Sequence, residues 1–237
     1  MILNPQFRTT SEVLRIAEES GDIYSKAVAQ HSHGYSLYAK GLLKEAESHL
    51  LNGIGLSEKT DWPSWIGLSQ ILLGEVHSEN GKFVEAKEHY RIANQTLEKW
   101  GLAPSVQALA KLGVIKSGIL DYEKDIDMAL LYEYPKDIKL NAFEGWAFRY
   151  VGEILLNIDN QHILEAENWI QKAIEADQKN RTMFELGKDY ALYADLFKRK
   201  GDRTKAQDNL GKTIEILKEC GADGWVEKYE KELTSIS

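Results

Sequence analysis

The apolar and polar positions of residues 67–100, G-L-S-Q-I-L-L-G-E-V-H-S-E-N-G-K-F-V-E-A-K-E-H-Y-R-I-A-N-Q-T-L-E-K-W, follow two helical patterns separated by one glycine. The first ends at Asn80 and carries Leu72, Leu73 and Val76 on its apolar side, with Gly74 among them. The second begins after Gly81. It carries Phe83, Ala86, Tyr90, Ala93 and Leu97, three to four residues apart, which is one face of a helix. Glycine at 81 suits the left-handed position that ends a helix and lets the chain reverse. Small residues at Gly74 and Ala86 let two antiparallel helices come close. The pattern predicts a helix–turn–helix hairpin.

The hairpin recurs. L-L-G at 72–74 returns as K-L-G at 111–113 and Y-V-G at 150–152, so these glycines are spaced 39 residues apart. Gly34, Gly41 and Ala46 keep the internal spacing of Gly74, Gly81 and Ala86, as do Ala194, Gly201 and Ala206. A hairpin that cannot bury its own apolar face must stack on a neighbour, so serial hairpins predict a helical solenoid. The expected fold is all-α, an α–α superhelix of about five hairpins over 22–60, 62–100, 103–134, 139–177 and 182–220, with an end helix at 222–235. Lys228, Glu230, Lys231 and Glu232 supply the polar outer face such an end helix needs. Residues 1–9 read as an irregular lead, followed by a short helix from a Ser11 cap to Ala17 that is half of a truncated repeat. Its missing partner suggests a fragment of a longer chain. The third repeat is disturbed. D-Y-E-K-D-I-D-M-A-L-L-Y-E-Y is short and acidic and stops at Tyr134-Pro135, which reads either as a degenerate repeat or as a hinge or partner contact.

Gly74, Ala86, Tyr90 and Ala93 match the Gly, Ala, Phe/Tyr and Ala positions of the tetratricopeptide repeat, which the chain resembles over nearly its whole length. The spacing exceeds that family's usual period of about 34 residues, implying longer helices. Repeats of this longer kind resemble those of large bacterial signalling proteins, where a solenoid follows an ATPase, cyclase or regulator module. The resemblance implies that the first helix of each hairpin lines a concave groove. Counted from the Gly74 position, the groove residues are His31, Tyr35 and Tyr38; Ile71, Glu75 and Ser78; Gln107, Val114 and Ser117; Trp146, Arg149 and Glu153; and Lys188 and Asp195. Tyr and Trp would anchor a peptide there, and Arg149 would meet a carboxylate. Some family members clamp a terminal carboxylate with paired Lys and Asn. No asparagine sits at the matching positions, and that clamp is not carried over.

Composition narrows the picture. A net charge of −8 argues against a nucleic-acid partner, whose binding rests on clustered Lys and Arg. No apolar run approaches the roughly 18 residues that cross a bilayer. The N-terminus lacks a secretory pattern, and one cysteine, Cys220, fits a reducing cytoplasm. There is no phosphate loop and no G-x-S-x-G elbow. The six histidines lack metal-pair spacing, and Cys220 reads as a buried small residue. The carboxylates Glu75, Glu153 and Asp195 read as solvated, and Phe83, Tyr90, Tyr122, Trp169 and Phe197 as core. Trp62, Trp65 and Trp100 read as loop seals at helix ends. The expectation is a cytoplasmic, non-catalytic scaffold with no cofactor and no metal. It takes a protein or peptide partner, or a copy of itself through an array end. The alternative is a sensor that binds a small effector in the same groove.

Overall fold

The computed structural model describes residues 5–123 and 125–236, and every regular element among them is helical. The chain divides into two compact units, residues 1–117 and 118–237. The first unit holds α1 (Pro5–Ser20), α2 (Ile23–Ala39), α3 (Leu43–Glu58), α4 (Pro63–Glu79), α5 (Phe83–Lys99) and most of α6 (Pro104–Leu120). The closest packing is within the hairpins α2–α3 and α4–α5, with α1 on α2 and α3 on α4. The second unit holds α7 (Met128–Glu133), α8 (Asn141–Ile158), α9 (Ile163–Asn180), α10 (Met183–Arg199), α11 (Arg203–Glu219) and α12 (Asp223–Ser235). Here α8 pairs with α9, α10 with α11, α9 with α10, and α12 with α11.

The turn at Gly81 shows how the α4–α5 hairpin reverses. Gly81 has φ +70° and donates its N–H to Ser78 O at 3.0 Å, while Lys82 N–H reaches back to His77 O at 2.9 Å. This pair of bonds satisfies carbonyls that the helix end would otherwise leave open. The same two-bond turn forms at Gly41, Gly201 and Gly221. The α9–α10 turn has no glycine: Arg181 takes the left-handed conformation at φ 59°.

The core of the first unit shows why the Gly74 spacing recurs. The Tyr90 ring lies where a Cβ on Gly74 or on Gly113 would come within 2.6 Å of it. One aromatic ring from α5 thus wedges between two bare helix surfaces, on α4 and α6. The same knob-on-glycine contact joins Leu50 to Gly34 and Ile170 to Gly152. Shape, rather than hydrophobicity alone, is what the repeat preserves.

Three expectations are corrected. Residues 5–20 form one helix, so Ser11 is interior rather than a cap; Pro5 suits a first turn, where its missing N–H costs little. The expected lead at residues 1–4 lies outside the described residues. Tyr122, expected in the core, is 90% exposed, because it takes the left-handed conformation (φ 66°) in the turn that ends α6. Trp100, expected to seal a loop, is exposed. The disturbed third repeat itself is as short as its sequence predicts: Asp127 caps Ala129 and Leu130, and Tyr134–Asp137 closes as a 3-10 turn.

Candidate functional site

The first unit carries an open apolar groove of about 440 Å³ between α1 and α2. Its walls include Val13, Ile16 and Ala17 of α1, Tyr24 and Val28 of α2, and Trp62. Val13 and Ile16 are one helical step apart and both are exposed, as is Tyr24. Gly21, at φ +72°, turns the chain out of α1, and Asp22 caps α2 by accepting from Ser25 N–H at 2.8 Å. That cap sets Tyr24 in the first turn of α2, facing Trp62. Trp62 is held from the other side: its N–H donates to Ser57 O at 2.9 Å, and Pro63 starts α4 directly behind it.

The groove continues into an aromatic row. Tyr24 meets Trp62 edge-on at 5.4 Å, Trp62 meets Trp65 at 5.9 Å, and Trp65 meets His31 at 4.8 Å. His31 Nδ1 is hydrogen-bonded to Ser69 Oγ at 2.9 Å. Burial pulls the His31 pKa down to about 4, so the ring is neutral at physiological pH. The row is therefore rigid, aromatic and uncharged, suited to receiving apolar side chains.

The residues expected to line a groove separate into two kinds. In the first unit Tyr35 is exposed, and His31, Ser78, Gln107 and Val114 are half-buried. Tyr38, Ile71, Glu75 and Ser117 are buried. Glu75, expected to be solvated, is 2% exposed and accepts from Tyr38 Oη at 3.1 Å, Tyr90 Oη at 2.5 Å and Lys116 Nζ at 2.7 Å. In the second unit Glu153 and Asp195 are half-buried, and Asp195 pairs with Lys198 and Arg199. Trp146 and Lys188 are buried, the Lys188 Nζ lying 5.3 Å from the Trp225 ring centroid. Arg149 is also buried; it donates to Glu185 Oε2 at 2.5 Å and to Asp189 Oδ1 at 2.9 Å. Its role as a receptor for an incoming carboxylate is corrected, since two internal carboxylates already hold it.

Several features escaped the sequence reading. The α1–α2 groove is hidden in the sequence, because the pattern predicts only a short helix from Ser11 to Ala17 where α1 runs from Pro5 to Ser20. Two histidine contacts were also missed. His49 donates from Nδ1 to Gln30 Oε1 at 2.7 Å, and His89 to Gln70 Oε1 at 2.6 Å. The second pair repeats the first one repeat later, a signal that the Gln–His spacing carried. His33 packs edge-on against His49, and His77 stacks on His89 at 4.8 Å. Burial lowers the pKa of His33, His49 and His89, with the facing histidine adding to the effect at His33 and His89. Cys220 is half-buried, and burial raises its thiol pKa, which disfavours the reactive thiolate. Among the described residues no group of three or more His, Cys, Asp or Glu is placed to hold a metal ion, and no helix is long and apolar enough to cross a membrane.

No protein-family model and no curated protein matches this chain.

Proposed function

We propose that this chain is a non-catalytic protein-interaction scaffold, a tetratricopeptide-like solenoid that serves as the docking or sensory part of a bacterial signalling protein. Its partner is an apolar segment of a peptide or protein, received in the α1–α2 groove. The observation that carries this reading is the groove itself: Val13, Ile16 and Tyr24 are exposed together beside Trp62. Contiguous exposed apolar surface on a soluble domain marks an interaction site. Tyr and Trp are rigid anchors that lose little conformational freedom on binding. Val13 and Ile16 offer the spacing into which an amphipathic helix fits. The Asp22 cap, the Trp62–Ser57 backbone bond and the Tyr24–Trp62 edge contact hold the groove's wall in shape before any partner arrives.

A second reading is favoured by the groove's volume, which lies in the range of about 300–1,000 Å³ typical of small-molecule sites. An apolar effector would then take the place of the peptide. Binding to an array of short peptides, measured with the intact chain and with Ile16→Asp and Trp62→Ala, separates the two. The scaffold reading expects peptides with apolar residues at helical spacing to bind, and both substitutions to weaken them by about tenfold or more, roughly 1.4 kcal/mol. Peptide binding that ignores both substitutions removes the groove from the reading. Titration heats with apolar small molecules, and none with peptides, turn it into the effector sensor. Sedimentation at several concentrations tests the remaining occupant, a second copy of the chain: self-association abolished by Ile16→Asp would place that copy in the groove.

A further inference from the structure

Three hairpins seat one side chain against a helical glycine about a turn from the hairpin's open end. In α4–α5 Leu97 meets Gly67, and in α10–α11 Leu217 meets Gly187. In α8–α9 the glycine is Gly145, and the residue against it is Asp177, whose carboxyl a Cβ at 145 would strike. A carboxyl thus replaces leucine at a core position, with space cleared for it.

The groups around it do not balance its charge. Arg149 of α8 reaches Asp189 Oδ1, Glu185 Oε2 and the Glu185 carbonyl, all on α10. Thr182 donates to Asp177 Oδ1 at 2.5 Å. Asp177 and Asp189 are both wholly buried, and the Oδ2 atom of each lacks a donor. The two carboxyls lie in hydrogen-bonding reach of each other. The charged groups acting on the pair are Arg149 and Glu185. Nearby, Glu144 of α8 turns to Asn180, and Lys188 of α10 lies over Trp225. One guanidinium therefore serves three buried carboxyls, and two buried acceptor-only oxygens are left without a donor. A proton is the donor that satisfies both.

We propose that Asp177 and Asp189 hold one proton between them in the native second unit at neutral pH, making its core a proton-binding site and its stability a function of pH. Burial raises both carboxyl pKa values, Asp189 well above the ordinary range, while Arg149 opposes the shift. The sign follows. A carboxyl whose native pKa is raised contributes stability fully below its unfolded pKa of about 3.8 and loses it as pH rises through the native value. Deprotonation releases one proton to solvent and leaves two facing carboxylates between α9 and α10, which loosens that contact. Alkaline conditions thus act on the second unit in the direction opposite to their usual effect on a salt-bridged aspartate.

The test is a pH series of hydrogen exchange over residues 163–199, with the infrared spectrum of the native chain recorded alongside. In the intact chain the folded-to-open ratio should fall by about tenfold per pH unit between the unfolded pKa of about 3.8 and the native value, the slope for one proton, and level off above it. Asp189→Asn should flatten that slope, while Asp208→Asn, the same charge change at an exposed site of α11, should leave it. The intact chain should also show a protonated-carboxyl stretch at neutral pH that disappears on alkalinisation. Parallel slopes in the two variants, or no such stretch, overturn the proposal. If Asp189→Asn fails to fold, the stretch and its loss at high pH decide by themselves. Stabilisation by added calcium without the stretch would assign a cation to the pair and overturn it equally.

Discussion

The two units build the same hairpin and fill its polar core positions with opposite chemistry. The first unit half-buries imidazoles whose pKa burial lowers: His31 against Ser69, and His49 and His89 on paired glutamines. Its one deeply buried carboxylate among the described residues, Glu75, has a matched cation in Lys116 and two tyrosine donors. The second unit buries three carboxyls around a single arginine. Burial penalises whichever form is charged, so it lowers the histidine pKa values and raises those of the aspartates. The lesson is that one backbone plan accepts either polar filling, and that the filling decides which pH direction loosens it.

The largest test of this contrast removes the cation from each core. Arg149→Met leaves Glu185, Asp177 and Asp189 buried without a counter-charge. The expected cost is ~3–5 kcal/mol at neutral pH, the range for breaking a buried ion pair. Acidification should recover part of it, because protons can replace the guanidinium. Lys116→Met leaves only Glu75, still bonded to Tyr38 and Tyr90, and should cost less than Arg149→Met. Urea unfolding followed by peptide-resolved hydrogen exchange reads each unit separately. Equal losses in the two variants would erase the distinction between a balanced and an unbalanced core.

A smaller effect sharpens the same comparison from the acid side. His31 titrates at 6.5 when free and at about 4 in place, so its native pKa is depressed. Its contribution is complete above pH ~6.5 and is lost as pH falls towards about 4, by at most ~3 kcal/mol. His33, His49 and His89 shift in the same direction. Protection in α2 and α4 should therefore fall between pH 7 and 4 while that of α9 and α10 does not. His31→Gln should shrink the acid slope of the first unit alone.

What the sequence disclosed follows from how local each feature is. The helix pattern and the glycine turns are set within a few residues, and the helices of α2–α3, α4–α5, α8–α9 and α10–α11 run over 23–58, 63–99, 141–180 and 183–219. Longer-range pairing was harder to see, though it left a trace. Glu75 meets Lys116 across 41 residues, and Arg149 meets Asp189 across 40, in each case one repeat period. Opposite charges one period apart on successive first helices were thus the readable sign of a buried pair. The length of α1 had no such sign: P-Q-F-R-T-T is poor in apolar periodicity, and the helix rests on α2 through contacts such as Thr10 with His33 at 3.3 Å.

The smallest expected effects compare glycines that look alike in sequence. Gly74 and Gly113 face the Tyr90 ring, where an added methyl would overlap it at 2.6 Å. Gly74→Ala should cost ~1–3 kcal/mol, as overpacking does, since Tyr90 is held by its bond to Glu75 and has no free space to retreat into. Gly55 of α3 and Gly211 of α11 lie inside helices with no atom near the added Cβ. Gly55→Ala and Gly211→Ala should each stabilise by ~0.5–1 kcal/mol, because alanine restricts the unfolded chain and strains nothing in the helix. Thermal unfolding of the three variants checks the sign as well as the size. If Gly74→Ala also stabilised the chain, the ring-on-glycine contact would lose its place as what fixes the hairpin geometry, since a yielding ring cannot set the distance between two helices.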